Sequence, residues 1–428
     1  MLISLPNHPF TALTARNPNG RLQCDFLHQI PKLSSRSGSA TMQKFPLIRA
    51  LITNPDAFAV GRLVGSYGFM NITSYSSSQE GGLSSAATYE KSLGYSSEDA
   101  ERLRVQAVGE GQVKIRLYEG RVVQGPLIGT RIIFKVYPGQ RAGGAEADMM
   151  AANELNAHAS LQSDSKNICQ NLQILLGGFE TKTGEQWLAF RNDGIYSAAD
   201  YAKVTSESMA KELSGGEQKL WNFDMNRKLK RRRFFVIKLL NGAIRGLAYM
   251  HDRDRLHQSL GPASVVLNTT VEQDVPYLVP RLRDLAFSVD VGYSSLVAHG
   301  GPLSEGLWHR ALAAGTFTPL EKRAYGIADD IYEAGLLFAF LAFIPFCEAG
   351  VMDGLSLQRL FESTFQLDLN AAREYCLADD RLLEAVKFLD LGDGAGWELL
   401  QAMLNPDYRQ RPIAEAVLNH RFMTGAVL

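Results

Sequence analysis

The stretch from Phe234 to Asn268, FFVIKLLNGAIRGLAYMHDRDRLHQSLGPASVVLN, constrains the fold more than any other part of the chain. Its first half repeats Val236, Leu239, Leu240, Ala243, Ile244, Leu247 and Met250 at spacings of three and four, which places the apolar groups on one face of a helix. The period then stops. His257-Gln258-Ser259-Leu260-Gly261-Pro262-Ala263-Ser264 reads as a loop, and Val265-Val266-Leu267 as a short strand. A helix with one long buried face, followed by a loop and a strand, requires both a helical body and a sheet partner.

The rest of the chain supplies candidates for both. Ala334 to Cys347 is apolar all round, and its 14 or so residues fall short of the roughly 20 that span a bilayer, with Pro345 interrupting them. It reads as a helix buried on every side. Upstream, Val113, Ile115 and Leu117 alternate with Lys114, Arg116 and Tyr118, the period of a half-buried strand. Val105-Gln106-Ala107-Val108 and the turn Gly109-Glu110-Gly111 precede it as the first arm of a hairpin. Arg131 to Tyr137 is a third strand with a single Lys135 in an apolar run. A buried ammonium requires a partner, for which Glu154 on the helical run Ala145 to Ser160 is the candidate and Glu146 the fallback. Leu172 to Gly178 and Gln186 to Phe190 read as a hairpin, with Arg191-Asn192-Asp193-Gly194 as a hinge.

The segment from helix to strand resembles the catalytic segment of the protein kinases, His-Arg-Asp-Leu-Lys-Pro-x-Asn, with His257, Leu260 and Pro262 in place. The Arg411-Pro412 to Phe422 tail resembles the family's closing pattern nearly residue for residue. Gly315 to Glu321 and Asp329 to Gly335 resemble the end of the activation segment and the helix after it. The resemblance implies an α+β, bilobal protein-kinase-like fold: a small five-stranded antiparallel lobe with one helix (105–194) and a larger helical lobe (195–428). It also implies a pairing of Arg411 with Glu321. By the same resemblance Gly109, Gly111, Lys135 and Glu154 would hold ATP, and Asp284 of Asp284-Leu285-Ala286 would hold magnesium.

The reactive groups depart from that pattern. Ser259 stands where the family has its catalytic Asp, Gly261 where it has Lys, and Ser264 where it has the metal-binding Asn. A neutral hydroxyl cannot act as that base, so the resemblance implies a pseudokinase with a regulatory or scaffolding role and residual ATP binding, and no catalytic residue. Two alternatives remain open on the residues: a divergent active Ser/Thr kinase, and a binding module for an acidic partner, anionic surface or nucleic acid through Arg227, Lys228, Lys230, Arg231, Arg232 and Arg233.

Composition adds a setting. The first 79 residues hold two acidic groups, Asp25 and Asp56, against seven basic ones, and read as an acid-poor transit peptide and disordered leader, with 80–104 as a linker. The whole pattern is similar to chloroplast kinases of the state-transition type, implying protein partners in a plastid, in the stroma or peripheral to the thylakoid. A formal net charge of −1 excludes whole-molecule attraction to polyanions. The cysteines at 24, 169, 347 and 376 lack metal-ligand spacing and fit a reduced compartment.

Overall fold

The computed structural model describes residues 51–69, 113–163, 168–213, 221–297 and 302–426. Five antiparallel strands form one sheet in the order β1-β2-β3-β5-β4: β1 Phe58–Phe69, β2 Val113–Val122, β3 Arg131–Tyr137, β4 Leu175–Glu180 and β5 Gln186–Arg191. Helix α1, Gln140–Leu161, packs on one face of it. Alternation along β3 separates the two faces. Ile132, Phe134 and Val136 join Phe58 and Val122 in one apolar layer, while Tyr137 packs with Ala147 and Met150 of α1.

Within the described residues β2 is paired on both edges. β1 lies along one edge of β2, with Phe69 opposite Val113 and Phe58 opposite Val122, and β3 takes the other edge. Both edges of β2 are therefore filled, and the strand expected at 105–108, with Gly109 and Gly111, lies outside the described residues. Residues 51–69, read from the sequence as part of the leader, belong to the sheet lobe, and the rest of 1–79 lies outside the described residues. Before entering β1 the chain bonds along the opposite edge. Ile52 N–H donates to the Leu176 carbonyl at 2.9 Å and Gly178 N–H donates to the Ile52 carbonyl at 3.0 Å. A Cβ on Gly177 would stand 2.0 Å from that carbonyl oxygen, so the position requires glycine. Residues 52–58 thus pass from the β4 edge to the β1 edge, setting the Phe58 ring 5.5 Å from Phe134 and 6.0 Å from Phe179.

The larger lobe is helical. Helix α2, Ala198–Leu213, precedes α3, Trp221–His251, whose seven periodic apolar residues are all buried. Helix α4, Pro319–Phe343, starts with a capping box in which Thr318 Oγ accepts from Glu321 N–H and Glu321 accepts from Thr318 N–H. Its second half, from Ala334, is packed in the main core together with α3. The helix carries the end of one motif, Pro319 to Glu321, and all of the other, Asp329 to Gly335, while Gly315 to Thr318 precede it. In place of the expected Glu321 pairing, Arg411 donates to the carbonyls of Ala328 (3.0 Å) and Asn405 (2.8 Å) and lies over the Tyr332 ring. Glu321 is committed to its cap, whose N–H donors hold its carboxyl below the usual range.

The basic run does not form one cationic face. Arg232 is buried against Glu272 at 2.9 Å and the Pro345 carbonyl at 2.8 Å, and Arg233 stands 3.7 Å from Glu384. Arg227 and Lys230 are exposed, with Lys228 and Arg231 half-buried. Because α3 begins at Trp221, the run lies in its second and later turns, clear of the unfavourable first turn. Among the described residues no helix is long and apolar enough to cross a membrane.

Candidate functional site

The site is built where α1, β3, the loop after α3 and the segment after Leu282 meet. Lys135, from the middle of β3, points toward α1 and places Nζ 2.7 Å from Glu154 Oε2 and 2.7 Å from Asp284 Oδ1. The sequence-derived partner, Glu154, is the one found, and all three side chains are at most 5% exposed. Glu154 also accepts from the Tyr137 hydroxyl and from Leu285 N–H at 3.3 Å. Asn153, beside it on α1, donates to the carbonyls of Ala286 (2.7 Å) and Ser288 (2.8 Å), so the helix is tied to the segment that carries Asp284.

The loop is held from below by Asp330 on α4. Its Oδ2 accepts from His257 N–H at 2.8 Å and lies 2.9 Å from His251 Nε2, while Oδ1 accepts from the N–H and side-chain amide of Gln258, both at 2.9 Å. Gln258 takes a left-handed backbone, φ 57°, in reaching this carboxylate. Glu333, one turn on, accepts from Leu260 N–H at 3.0 Å. These contacts fix the shape of the loop that carries Ser259, Gly261 and Ser264.

Ser259 is buried and donates to the Asp284 carbonyl at 3.1 Å, with His257 Nδ1 at 3.4 Å. Ser264 is fully buried and closes on its own loop, donating to the Gly261 carbonyl at 2.8 Å and accepting from Gly261 N–H at 2.9 Å. Arg283 contributes a second cation. Its Nε is 3.2 Å from Asp284 Oδ2 and donates to the Ala263 carbonyl at 3.1 Å. Sequence reading missed Arg283, since one arginine in an arginine-rich stretch carries no signal of its own.

It also missed a glycine run. Leu63-Val64-Gly65-Ser66-Tyr67-Gly68 fits the Gly-x-Gly-x-x-Gly frame with Leu63 at the first glycine, and it lies on β1. Gly65 pairs with Leu117 and Leu117 with Lys135, so the run is two strands from the lysine, on the order of 10 Å at ~4.8 Å per strand. The glycine-x-x-glycine spacing was the available signal.

Magnesium would need a carboxylate with an oxygen free to face it, in near-octahedral oxygen coordination. Here Asp284 turns one oxygen to Lys135 and the other to Arg283, the Ser264 hydroxyl is bonded within its loop, and no group of three His, Cys, Asp or Glu among the described residues stands together to hold a metal. The donor set does not fit this ion. ATP is a better match: the Gly65 and Gly68 backbone and Lys135 would take its phosphates, and the hinge Arg191 to Gly194 its base.

One turn along α1 from Glu154, His158 is buried against Phe190, with ring centroids 5.0 Å apart, and neither ring nitrogen makes a hydrogen bond. Burial, and then the charge of Lys135, push its pKa down to about 3; burial also lowers that of His257. Both rings fold as neutral groups, whereas in the unfolded chain they charge below about 6.5. Stability contributed by the neutral form is present above pH 6.5 and is lost as pH falls toward 3. For His158 the loss is on the order of 2 kcal/mol at about pH 5, taking 1.36 kcal/mol per unit. Denaturant melts of wild type and His158→Leu between pH 5 and 8 check this: the variant should lose less stability on acidification.

No family model matches the chain. In structure it is similar to the crystal structure of a Stt7 homologue from Micromonas algae soaked with ATP, with a TM-score of 0.54 and 18% identity, covering 91% of this chain and 98% of that one.

Proposed function

From the premise that the chain has a protein-kinase-like fold, we propose that it is a pseudokinase: a regulatory or scaffolding domain that engages a protein partner and retains ATP binding without phosphoryl transfer. The observation that carries this reading is Ser259. At the position of the base stands a buried neutral hydroxyl whose proton is directed to the Asp284 carbonyl, so no acceptor faces an incoming alcohol. Loss of a general base costs about 10²–10⁴ in rate. Gly261 and Ser264 remove the loop's cation and second metal ligand as well. Asp254, the nearest other carboxylate in the sequence, is engaged by Arg323 at 2.8 Å.

What supports nucleotide binding is the Lys135 and Glu154 pair, together with the ATP soak of the structurally similar Stt7 homologue. That similarity and the basic, acid-poor leader support a plastid setting, in the stroma or peripheral to the thylakoid, with protein partners there. The exposed Arg227 and Lys230 keep an acidic partner as a second reading, reduced from six cations by the burial of Arg232 and the pairing of Arg233.

The test is transfer from γ-labelled ATP to the chain itself and to general protein acceptors. Wild type is expected to give no turnover above background. Ser259→Asp alone is expected to give none either, because Gly261 and Ser264 remain. Robust labelling by the wild-type chain that Lys135→Met abolishes would favour a divergent Ser/Thr kinase instead.

A further inference from the structure

Resting on the nucleotide-binding reading above, we infer that the cleft binds a nucleoside triphosphate without a divalent metal, with the Arg283 guanidinium occupying the place beside Asp284 that an ion would take. Three observations converge on this. Arg283 Nε contacts Asp284 Oδ2 at 3.2 Å, the carboxylate oxygen turned away from Lys135. The same nitrogen donates to the Ala263 carbonyl at 3.1 Å, which anchors the side chain on the loop between Gly261 and Ser264, where both the lysine and the asparagine are lost. The Arg283 side chain is 21% exposed, against 5% for Lys135 and 3% for Asp284, so of the two cations it is the more open to solvent.

Charge favours the same reading. Lys135 and Arg283 are balanced by Glu154 and Asp284, a neutral set that presents a cation outward. A site that uses magnesium concentrates carboxylates to hold the ion, and the ion then neutralises the phosphates. Here Ser264 stands at the position of one of those metal ligands and Ser259 at that of the base, both turned inward, and a planar guanidinium with several donors suits phosphate oxygens directly. The ligand class is a polyphosphate ester such as ATP.

The experiment is calorimetric titration of the full chain with ATP, once in magnesium and once in excess EDTA, for wild type, Arg283→Gln and Arg283→Lys. Wild-type affinity is expected to agree within about threefold between the two conditions. Arg283→Gln, which keeps a donor for the Ala263 carbonyl, should weaken binding in EDTA by roughly tenfold, and Arg283→Lys should recover part of that through its charge. Binding by the wild type only when magnesium is present overturns the inference and leaves the nucleotide reading standing, as does an Arg283→Gln variant that binds in EDTA as tightly as wild type. Absence of ATP binding in both conditions removes the nucleotide reading together with the inference. Should either variant fail to fold, the wild-type comparison in magnesium and EDTA decides alone.

Discussion

A fragment beginning at Glu80 is expected to fail to form the sheet lobe, whereas one beginning at Leu51 keeps it. The shorter fragment lacks β1 and the crossing segment, and with them the Phe58 ring that packs on Phe134 and Phe179. It leaves β2 as a bare edge carrying Val113, Ile115 and Val122, each at most 1% exposed in the intact chain. It also opens the far edge of β4, where Ile52 makes two backbone hydrogen bonds. Removing a buried phenylalanine alone costs about 3–5 kcal/mol, a large share of the 5–15 kcal/mol by which a domain is stable. Circular dichroism melts and limited proteolysis of the two fragments check this. The 80–428 fragment should aggregate or show early cleavage near β2 and β3, and Phe58→Ala in the longer one should lower the melting temperature markedly. A cooperative 80–428 fragment as stable as the longer one would show that β1 is dispensable.

Lys135→Ala is expected to destabilise the folded chain by about 3–5 kcal/mol, because it leaves buried carboxylates without their shared cation. The lysine is a structural clamp, so this variant cannot serve by itself as a test of nucleotide binding. The effect should be recovered in large part by Lys135→Met with Glu154→Gln and Asp284→Asn, which removes the charges together. Urea unfolding of the single and triple variants makes the comparison. If Lys135→Ala unfolds at the wild-type midpoint, the triad stores no such stability and the site is more open to solvent than its burial indicates.

Much of the architecture was legible in the chain. The three-and-four period of α3, the alternation of β2, the all-apolar second half of α4 and the lone lysine of β3 each survive into the structure, because each is a local pattern with one way to bury its apolar groups. The loop substitutions at Ser259, Gly261 and Ser264 were also plain, since a missing functional group can be read without coordinates. β1 was not legible. As an edge strand it leaves Val60, Leu63 and Val64 exposed, and register shifts break its alternation, so its residues carry no clean period of two. The burial of Arg232 within a basic run was equally hidden, because its partners Glu272 and Pro345 lie far along the chain.

The amino-acid sequence by itself determined the strands β2 to β5, the helices α3 and α4, the partner of Lys135 and the residue types at 259, 261 and 264, all of which follow from residue type and spacing. Only the tertiary structure decided that residues 51–69 run along β2 and along the outer edge of β4, that Asp330 supports the loop from beneath, and that Arg283 stands against the Asp284 oxygen turned away from Lys135. Those arrangements depend on contacts between segments about twenty to more than a hundred residues apart, Ile52 with Gly177, His257 with Asp330 and Arg283 with the Ala263 carbonyl, where chain spacing holds no information.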